Sequence, residues 1–256
     1  MNTILVSSHR RSGTHFLIDA LRKNIYGAEF PNHRHLPADL NIGSLYAKDE
    51  KVYSTFKKLI KSHETVIIKS HLLPEESYLP EPRDKHEELI STLFNESKKI
   101  YISRDVTDVM ISLHKYLRSQ KTLSEFIREP NDHIVKEIRK TQPYDANRIR
   151  YWDYHINSWK QTESTKSITF VELMRDFEFT MKQILSDFGY PLPDMLGKPM
   201  IPNNLLWHHI QKKLNHFGLA PLPECSSVRP NKWSSSEKLT FSQEDDIFVR
   251  DNSRVE

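Results

Sequence analysis

Three short segments hold residue types that could grip an anion and move a proton. The first, Ser8-His9-Arg10-Arg11-Ser12-Gly13-Thr14, lies between a β-branched run at Thr3–Ser7 and a stretch of helical periodicity from Thr14 to Asn24. A helix N-terminus offers unpaired N–H groups and about half a positive charge, so it favours an anion before any side chain is counted. Gly13 permits close backbone approach, Ser12 and Thr14 add hydroxyls, and Arg10 and Arg11 add charge in a bidentate form. Alone, the segment also fits a capped helix with two surface arginines. The second, Lys69-Ser70-His71, closes another β-branched run at Thr65–Lys69. A histidine there can take a proton near neutral pH, and Lys69 could reach the same cleft. Alone, His71 is one of 13 histidines and reads as a loop residue. The third, Arg104, follows the run Ile100–Ser103 and leads into a helix whose start is favoured by Asp105 and Asp108, with Ser112 two turns further on. An arginine there makes a second anion site, although one in isolation is more often a salt-bridge partner. Recurrence changes the balance, because three successive strand ends carry basic or proton-transferring groups.

The elements that must position these groups alternate. Between the second and third strands, Val52, Phe56, Leu59 and Ile60 suggest one helix, and Asp84–Ser97 a second with Leu89, Ile90, Leu93 and Phe94 on one face. Asp105–Leu117 is a further helix, and Thr122 with Glu125 reads as a capping box. Ile149, Trp152, Ile156 and Trp159 mark the buried face of the next helix, with both tryptophans in the core. Ser167–Phe170 reads as a fourth strand. Phe177 to Phe188 is a helix stopped by Gly189 and Pro191, and Asn203–Phe217 another stopped by Gly218. The pattern predicts a three-layer, P-loop-like α/β fold, a central, mainly parallel sheet flanked by helices. Ligands of such sheets sit outside the carboxyl ends of the strands, which puts all three segments on one rim. One domain over residues 1–256 is expected. Its C-terminal third is loop-rich, with seven of the 14 prolines between Pro191 and Pro230.

Composition removes several classes. Basic and acidic residues number 37 and 34, a formal charge of only +3, so an anion site must come from local placement. A single Cys excludes a disulfide framework and a Cys-based zinc site. No apolar run approaches the ~18 residues of a membrane span, and the N-terminus does not read as a signal peptide, so a cytoplasmic protein with no membrane partner is expected. None of the six glycines lies two or five residues from another, so neither GxGxxG nor GxxxxGK[ST] is present. Ordinary dinucleotide enzymes and Walker-type NTPases are thereby excluded.

Two anion sites on one rim without a Walker lysine suggest a nucleotide with phosphate at two ends. On these residues the chain resembles the PAPS-dependent sulfotransferases, specifically soluble bacterial small-molecule ones. That family's 5′-phosphosulfate loop ending in SGT corresponds to His9-Arg10-Arg11-Ser12-Gly13-Thr14-His15-Phe16. Its K-[ST]-H-x-P-like segment corresponds to Lys69-Ser70-His71-Leu72-Leu73-Pro74, and its R-x-x-x-D-x-x-x-S segment to Arg104, Asp108 and Ser112. SITFVELMRDFEFTMKQIL resembles the family's strand-then-helix stretch, and the likeness runs in order over roughly residues 3 to 190.

The resemblance implies sulfuryl transfer from PAPS to a hydroxyl or amine of a small-molecule acceptor, with PAP as product and no metal. By that likeness the backbone of Arg11 to His15 cradles the 5′-phosphate, Arg10 is a further cofactor-binding residue, and Arg11 stands where many members carry a catalytic lysine. Arginine does not give up a proton, so its help would be electrostatic. His71 would take the acceptor proton, Lys69 would contact the sulfuryl oxygens, and Arg104 and Ser112 would hold the 3′-phosphate. Phe16 matches an aromatic on the adenine, and Phe170 falls where many members have a tyrosine. The family's R-K-G-x-x-G-x-W segment is matched poorly by Val228-Arg229-Pro230-Asn231-Lys232-Trp233, which lacks both glycines. Trp233 corresponds, Arg229 is a candidate phosphate ligand, and Lys232 could substitute. The segments Pro31–Ala47, Ser77–Lys85 and Pro191–Pro230 would form a lid, and natural-product tailoring is the acceptor class preferred.

Other histidines (His33, His35, His208, His209, His216) lack partners at metal-ligand spacing, so no metal is expected. The basic stretch Lys136–Arg150 reads as a solvated helix face, and nucleic acid is not an expected partner because no aromatic and basic residues interleave as a platform. Two other readings stand beside the enzyme: a small-molecule kinase with a degenerate phosphate loop, and a catalytically silent PAP-binding regulator.

Overall fold

The computed structural model describes residues 2–26, 28, 40–62, 64–130, 147–199, 214 and 242–252. Four strands, β1 (Thr3–Ser7), β2 (Val66–Ser70), β3 (Lys98–Ser103) and β4 (Thr165–Thr169), form a wholly parallel sheet in the order β2-β1-β3-β4. Register aligns their carboxyl ends: Ser7 pairs with Ser70 and with Tyr101, and Ser103 with Thr169. The loops after all four strands therefore open on one edge.

The strands are β-branched, buried runs, as parallel strands covered on both faces must be. Alternation sorts their side chains. Ile4, Val6, Ile67, Ile100, Ile102 and Ile168 face a layer made by α1 (Thr14–Asn24), α8 (Phe170–Arg175) and α9 (Phe177–Asp187). Leu5, Val66, Ile68 and Tyr101 face the opposite layer, which includes α2 (Glu50–Ser62), α4 (Lys85–Glu96) and α7 (Arg148–Gln161). A short helix α3 (Pro74–Ser77) follows β2, and α5 (Val106–Leu117) and α6 (Leu123–Arg128) follow β3. The helix Gln243–Asn252 joins α5, α6 and α7 through Val249 and Phe248, with Arg128 ion-paired to Asp245 at 2.5 Å. No helix among the described residues is long and apolar enough to cross a membrane.

Two expectations need correction. Phe170 is not the last residue of the fourth strand but the first of α8. Thr169 makes a capping box there, its hydroxyl accepting from the Glu172 N–H at 3.1 Å and its own N–H donating to the Glu172 carboxylate at 2.7 Å. Nor is the basic stretch before residue 150 a purely solvated face. Arg148 is buried, bonded to the Phe126 carbonyl and to Glu129, with its guanidinium 4.0 Å above the Phe126 ring. Residues 131–146 and the expected helix Asn203–Phe217, except Leu214, lie outside the described residues. Trp159 is fully buried, as expected of a core residue, and Trp152 partly so. The Thr122–Glu125 capping box forms as its spacing predicts.

Candidate active site

Six residues turn the chain from β1 into α1, and two take left-handed backbone: Arg11 at φ 70° and Gly13 at φ 99°. For a residue with a Cβ this conformation costs about 1–2 kcal/mol, so surrounding contacts must hold Arg11 there. They come from α5. The Arg11 Nε–H donates to Ser112 Oγ at 3.0 Å, and the guanidinium lies 4.9 Å over the Tyr116 ring. A Cβ on Gly13 would stand 2.3 Å from the Phe170 ring, so both space and dihedral demand glycine. Gly13 caps α1 without a side chain, leaving the first-turn N–H groups to another acceptor. Ser12 is fully buried beside them, and its hydroxyl has no hydrogen-bond partner among the described residues. A buried orphan hydroxyl is costly unless something fills the site. The Thr14 hydroxyl, in contrast, is already bonded to Ser8 Oγ at 2.5 Å.

His71 follows β2 directly. Its Nδ1 lies 2.8 Å from the Ser8 carbonyl oxygen, which can only accept, so Nδ1 carries the proton and Nε2 keeps a lone pair. Burial, with the charge of Lys69 next in importance, holds this imidazole well below its usual pKa, so it is neutral near pH 7. Lys69 lies on the α1 face of β2, its Nζ 3.4 Å from His15 Nε2.

Arg104, at the end of β3, pairs with Asp108 through Nη2 at 2.9 Å, and its guanidinium sits 5.2 Å over Phe170. The first N–H groups of α5 are in use: the Asp105 carboxylate accepts from those of Thr107 and Asp108. Anion binding there must use side chains instead. Phe16 is buried against Phe170 and Phe177, edge to face, with ring centroids 6.2 and 6.3 Å away.

The rim thus joins Arg11 to Ser112, Gly13 and Arg104 to Phe170, Lys69 to His15, and His71 to Ser8. Arg10 adds positive charge near His71. Arg229, Lys232 and Trp233 lie outside the described residues. Among the described residues no three His, Cys, Asp or Glu side chains group as metal ligands.

A cluster that motif reading missed stands behind His71. Tyr101, His155 and His9 are all buried, with Tyr101 Oη 2.9 Å from His155 Nδ1 and the His9 and His155 rings 5.7 Å apart. Their signal was faint. Tyr101 interrupts an aliphatic strand on the face opposite Ile100 and Ile102, and His155 lies one turn before Trp159.

The sulfotransferase domain family matches residues 1–216. The chain belongs to that family. No curated protein is similar enough to match. Among solved structures, a mouse sulfotransferase complexed with PAP aligns at TM-score 0.51 and 22% identity, over 75% of this chain and 60% of that one. A sulfotransferase from Alicyclobacillus acidocaldarius aligns at TM-score 0.47 and 14% identity, over 86% of this chain and 94% of that one. The sulfotransferase domain from the curacin biosynthetic pathway aligns at TM-score 0.43 and 15% identity, over 87% and 84%. At 22% identity the mouse structure supports the shared α/β fold, and the chain spans 60% of the length of the mouse protein.

Proposed function

We propose that this sulfotransferase moves a sulfuryl group from PAPS to a hydroxyl or amine of a small-molecule acceptor by in-line displacement. The observation that carries the reading is the pairing of two unfinished groups on one rim. One is the His71 ring, whose Nδ1 is committed to Ser8 and whose Nε2 holds a lone pair. The other is the phosphate-type loop, with its uncapped helix start and the orphaned Ser12 hydroxyl.

The residues fit PAPS. The loop from Arg10 to His15 would hold the 5′-phosphate, with Ser12 gaining the partner it lacks. Arg104 and Ser112 would hold the 3′-phosphate. The present partner of Arg104, Asp108, is solvent-exposed, and such pairs are worth only about 0–1 kcal/mol, so phosphate can replace it at small cost. Phe170, between Gly13 and Arg104, would flank the adenine with Phe16 behind it. PAPS, when bound, supplies the activated sulfuryl group and leaves as PAP. In this reading His71 Nε2 takes the acceptor proton, Lys69 steadies charge on the sulfuryl oxygens, and Arg11 favours the leaving phosphate by charge and hydrogen bond.

Calorimetric titration with PAP, AMP, and ATP with and without Mg²⁺ tests the cosubstrate. Tight PAP binding, weak AMP binding and indifference to Mg²⁺ support the reading, and a PAPS acceptor screen then follows. Preference for Mg-ATP would make the protein a kinase. PAP binding with no turnover across hydroxyl and amine acceptors would make it a silent binder.

A further inference from the structure

His71 follows the last residue of β2, just past the strand pairing, and side chains of α7 hold the backbone there. His155 Nε2 lies 3.3 Å from the His71 carbonyl, and Trp159 Nε1–H donates to the Leu72 carbonyl at 3.0 Å. His155 and Trp159 are four residues apart, so one helix face clamps two successive carbonyls. The carbonyl of His71 can only accept, which places the His155 proton on Nε2 and leaves Nδ1 to accept from the Tyr101 hydroxyl at 2.9 Å.

The bonds run in one direction along a chain that ends at Ser8. Tyr101 O–H donates to His155, His155 Nε2–H to the His71 carbonyl, and His71 Nδ1–H to the carbonyl of Ser8. Reversing the His155 tautomer would set an Nε2 lone pair against the His71 carbonyl, and a buried polar group left unpaired costs more than a normal bond contributes.

We infer that His155 is a positioning residue for the reaction: directed by Tyr101, it anchors the His71 backbone so that the His71 ring keeps its proton on Nδ1 and presents a lone pair at Nε2. The inference rests on the reading of His71 as general base. His155 touches no reacting atom and acts through the geometry of His71 alone. It is neutral in this role, since burial lowers its pKa to about 3.

Long-range ¹H–¹⁵N spectra of the full chain with ¹⁵N-labelled histidine, with the His71 signals assigned by their loss in His71→Gln, read the tautomer without any acceptor. Wild type is expected to show His71 protonated at Nδ1, and His155→Phe a mixture of tautomers. With the acceptor found in the PAPS screen, His155→Phe should lower kcat on the order of 10–100-fold, with KM for PAPS changed less than about threefold. His155→Gln, which can still donate to the carbonyl, should recover most of the loss. In a His71→Ala background, His155→Phe should cost less than about threefold more, because residues acting through one another are not additive. An unchanged tautomer in His155→Phe, or a full-sized loss persisting without His71, overturns the inference. If His71→Ala itself leaves turnover unchanged, the general-base reading falls, and the tautomer still decides whether His155 positions the ring. Should His155→Phe not fold, Tyr101→Phe removes the directing hydroxyl while keeping the ring, and the same tautomer mixing is expected.

Discussion

Burying two neutral imidazoles side by side makes stability depend on pH. His9 is held at a pKa of about 4 and His155 at about 3, in both cases chiefly by burial, against 6.5 for the free side chain. Above pH 6.5 both are neutral folded and unfolded, and no penalty exists. Below it the unfolded chain takes up protons that the folded protein refuses, so stability falls as pH drops from 6.5 toward the folded values. At pH 5 each imidazole costs roughly 2 kcal/mol, and the two together about 4 kcal/mol. That is a large part of the 5–15 kcal/mol that holds a typical domain together. Depressed carboxylates such as Asp245 and Asp84, each near 2, add their losses at lower pH, below about 4. Urea unfolding of wild type and His155→Gln at steps from pH 7.5 to 5 isolates one imidazole, because every other titrating group is common to both proteins. The variant is less stable at pH 7.5, yet its stability should fall by about 2 kcal/mol less than wild type over this range. Parallel curves would refute the argument, since His155 would then titrate as it does in water.

Three further outcomes follow from the site. Gly13→Ala meets the Phe170 ring at 2.3 Å and a backbone dihedral of +99°, so urea unfolding should show a loss exceeding the ~1–2 kcal/mol of the dihedral alone. PAP titration should show weakened binding, and Phe170→Ala should recover only the steric part. Arg104→Ala should weaken PAP binding by about 2–5 kcal/mol while AMP, which lacks the 3′-phosphate, changes little. Equal losses for both nucleotides would remove Arg104 from that phosphate. Lys69→Met deletes the charge that, after burial, does most to depress His71, so the acid limb of kcat/KM should move to higher pH yet stay below 6.5. A limb that moves down or stays in place would remove His71 as the group being read.

The sheet was legible because parallel strands buried on both faces leave continuous aliphatic runs, and TILVS, TVIIK and IYIS are such runs. The fourth was misjudged at its end. SITF continues the β-branched pattern, but the Thr169–Glu172 box, visible as T-x-x-E, begins a helix one residue earlier. The rim was legible as well, since the loop after each strand end carries its own chemistry. Local sequence does not show who bonds to whom across it. Ser112 was expected as a phosphate ligand beside Arg104, and in the fold its hydroxyl accepts from Arg11, 101 residues away. The backbone N–H groups at the start of α5 are taken for a local reason that the sequence does contain, because Asp105 as N-cap uses the same N–H groups an anion would need. The clamp on His71 had no motif at all. Its members come from the first loop, β3 and α7, and only the sheet order that seats β1 between β2 and β3 brings them together.

The electrostatics of the rim bear on when His71 could act. After burial, the influences that depress its pKa are the charges of Lys69, Arg10 and His15. Arg11 is itself depressed, first by burial and then in part by Arg104. Without a ligand the site is a pocket of like charge, with Asp108 the anion paired to Arg104 and itself exposed to water. Such a field attracts a polyanion and cannot be satisfied by a single carboxylate. It also makes His71 a weak base, because a proton on Nε2 would add one more positive charge beside Lys69. A bound nucleotide with negative charge at both ends would neutralise that field and raise the basicity of His71 without moving it. The tautomer, held through His155, would already be correct. Base strength would then depend on the cosubstrate while base geometry would not. On this argument a site with the His71 geometry intact stays a poor proton acceptor until both phosphate positions are filled.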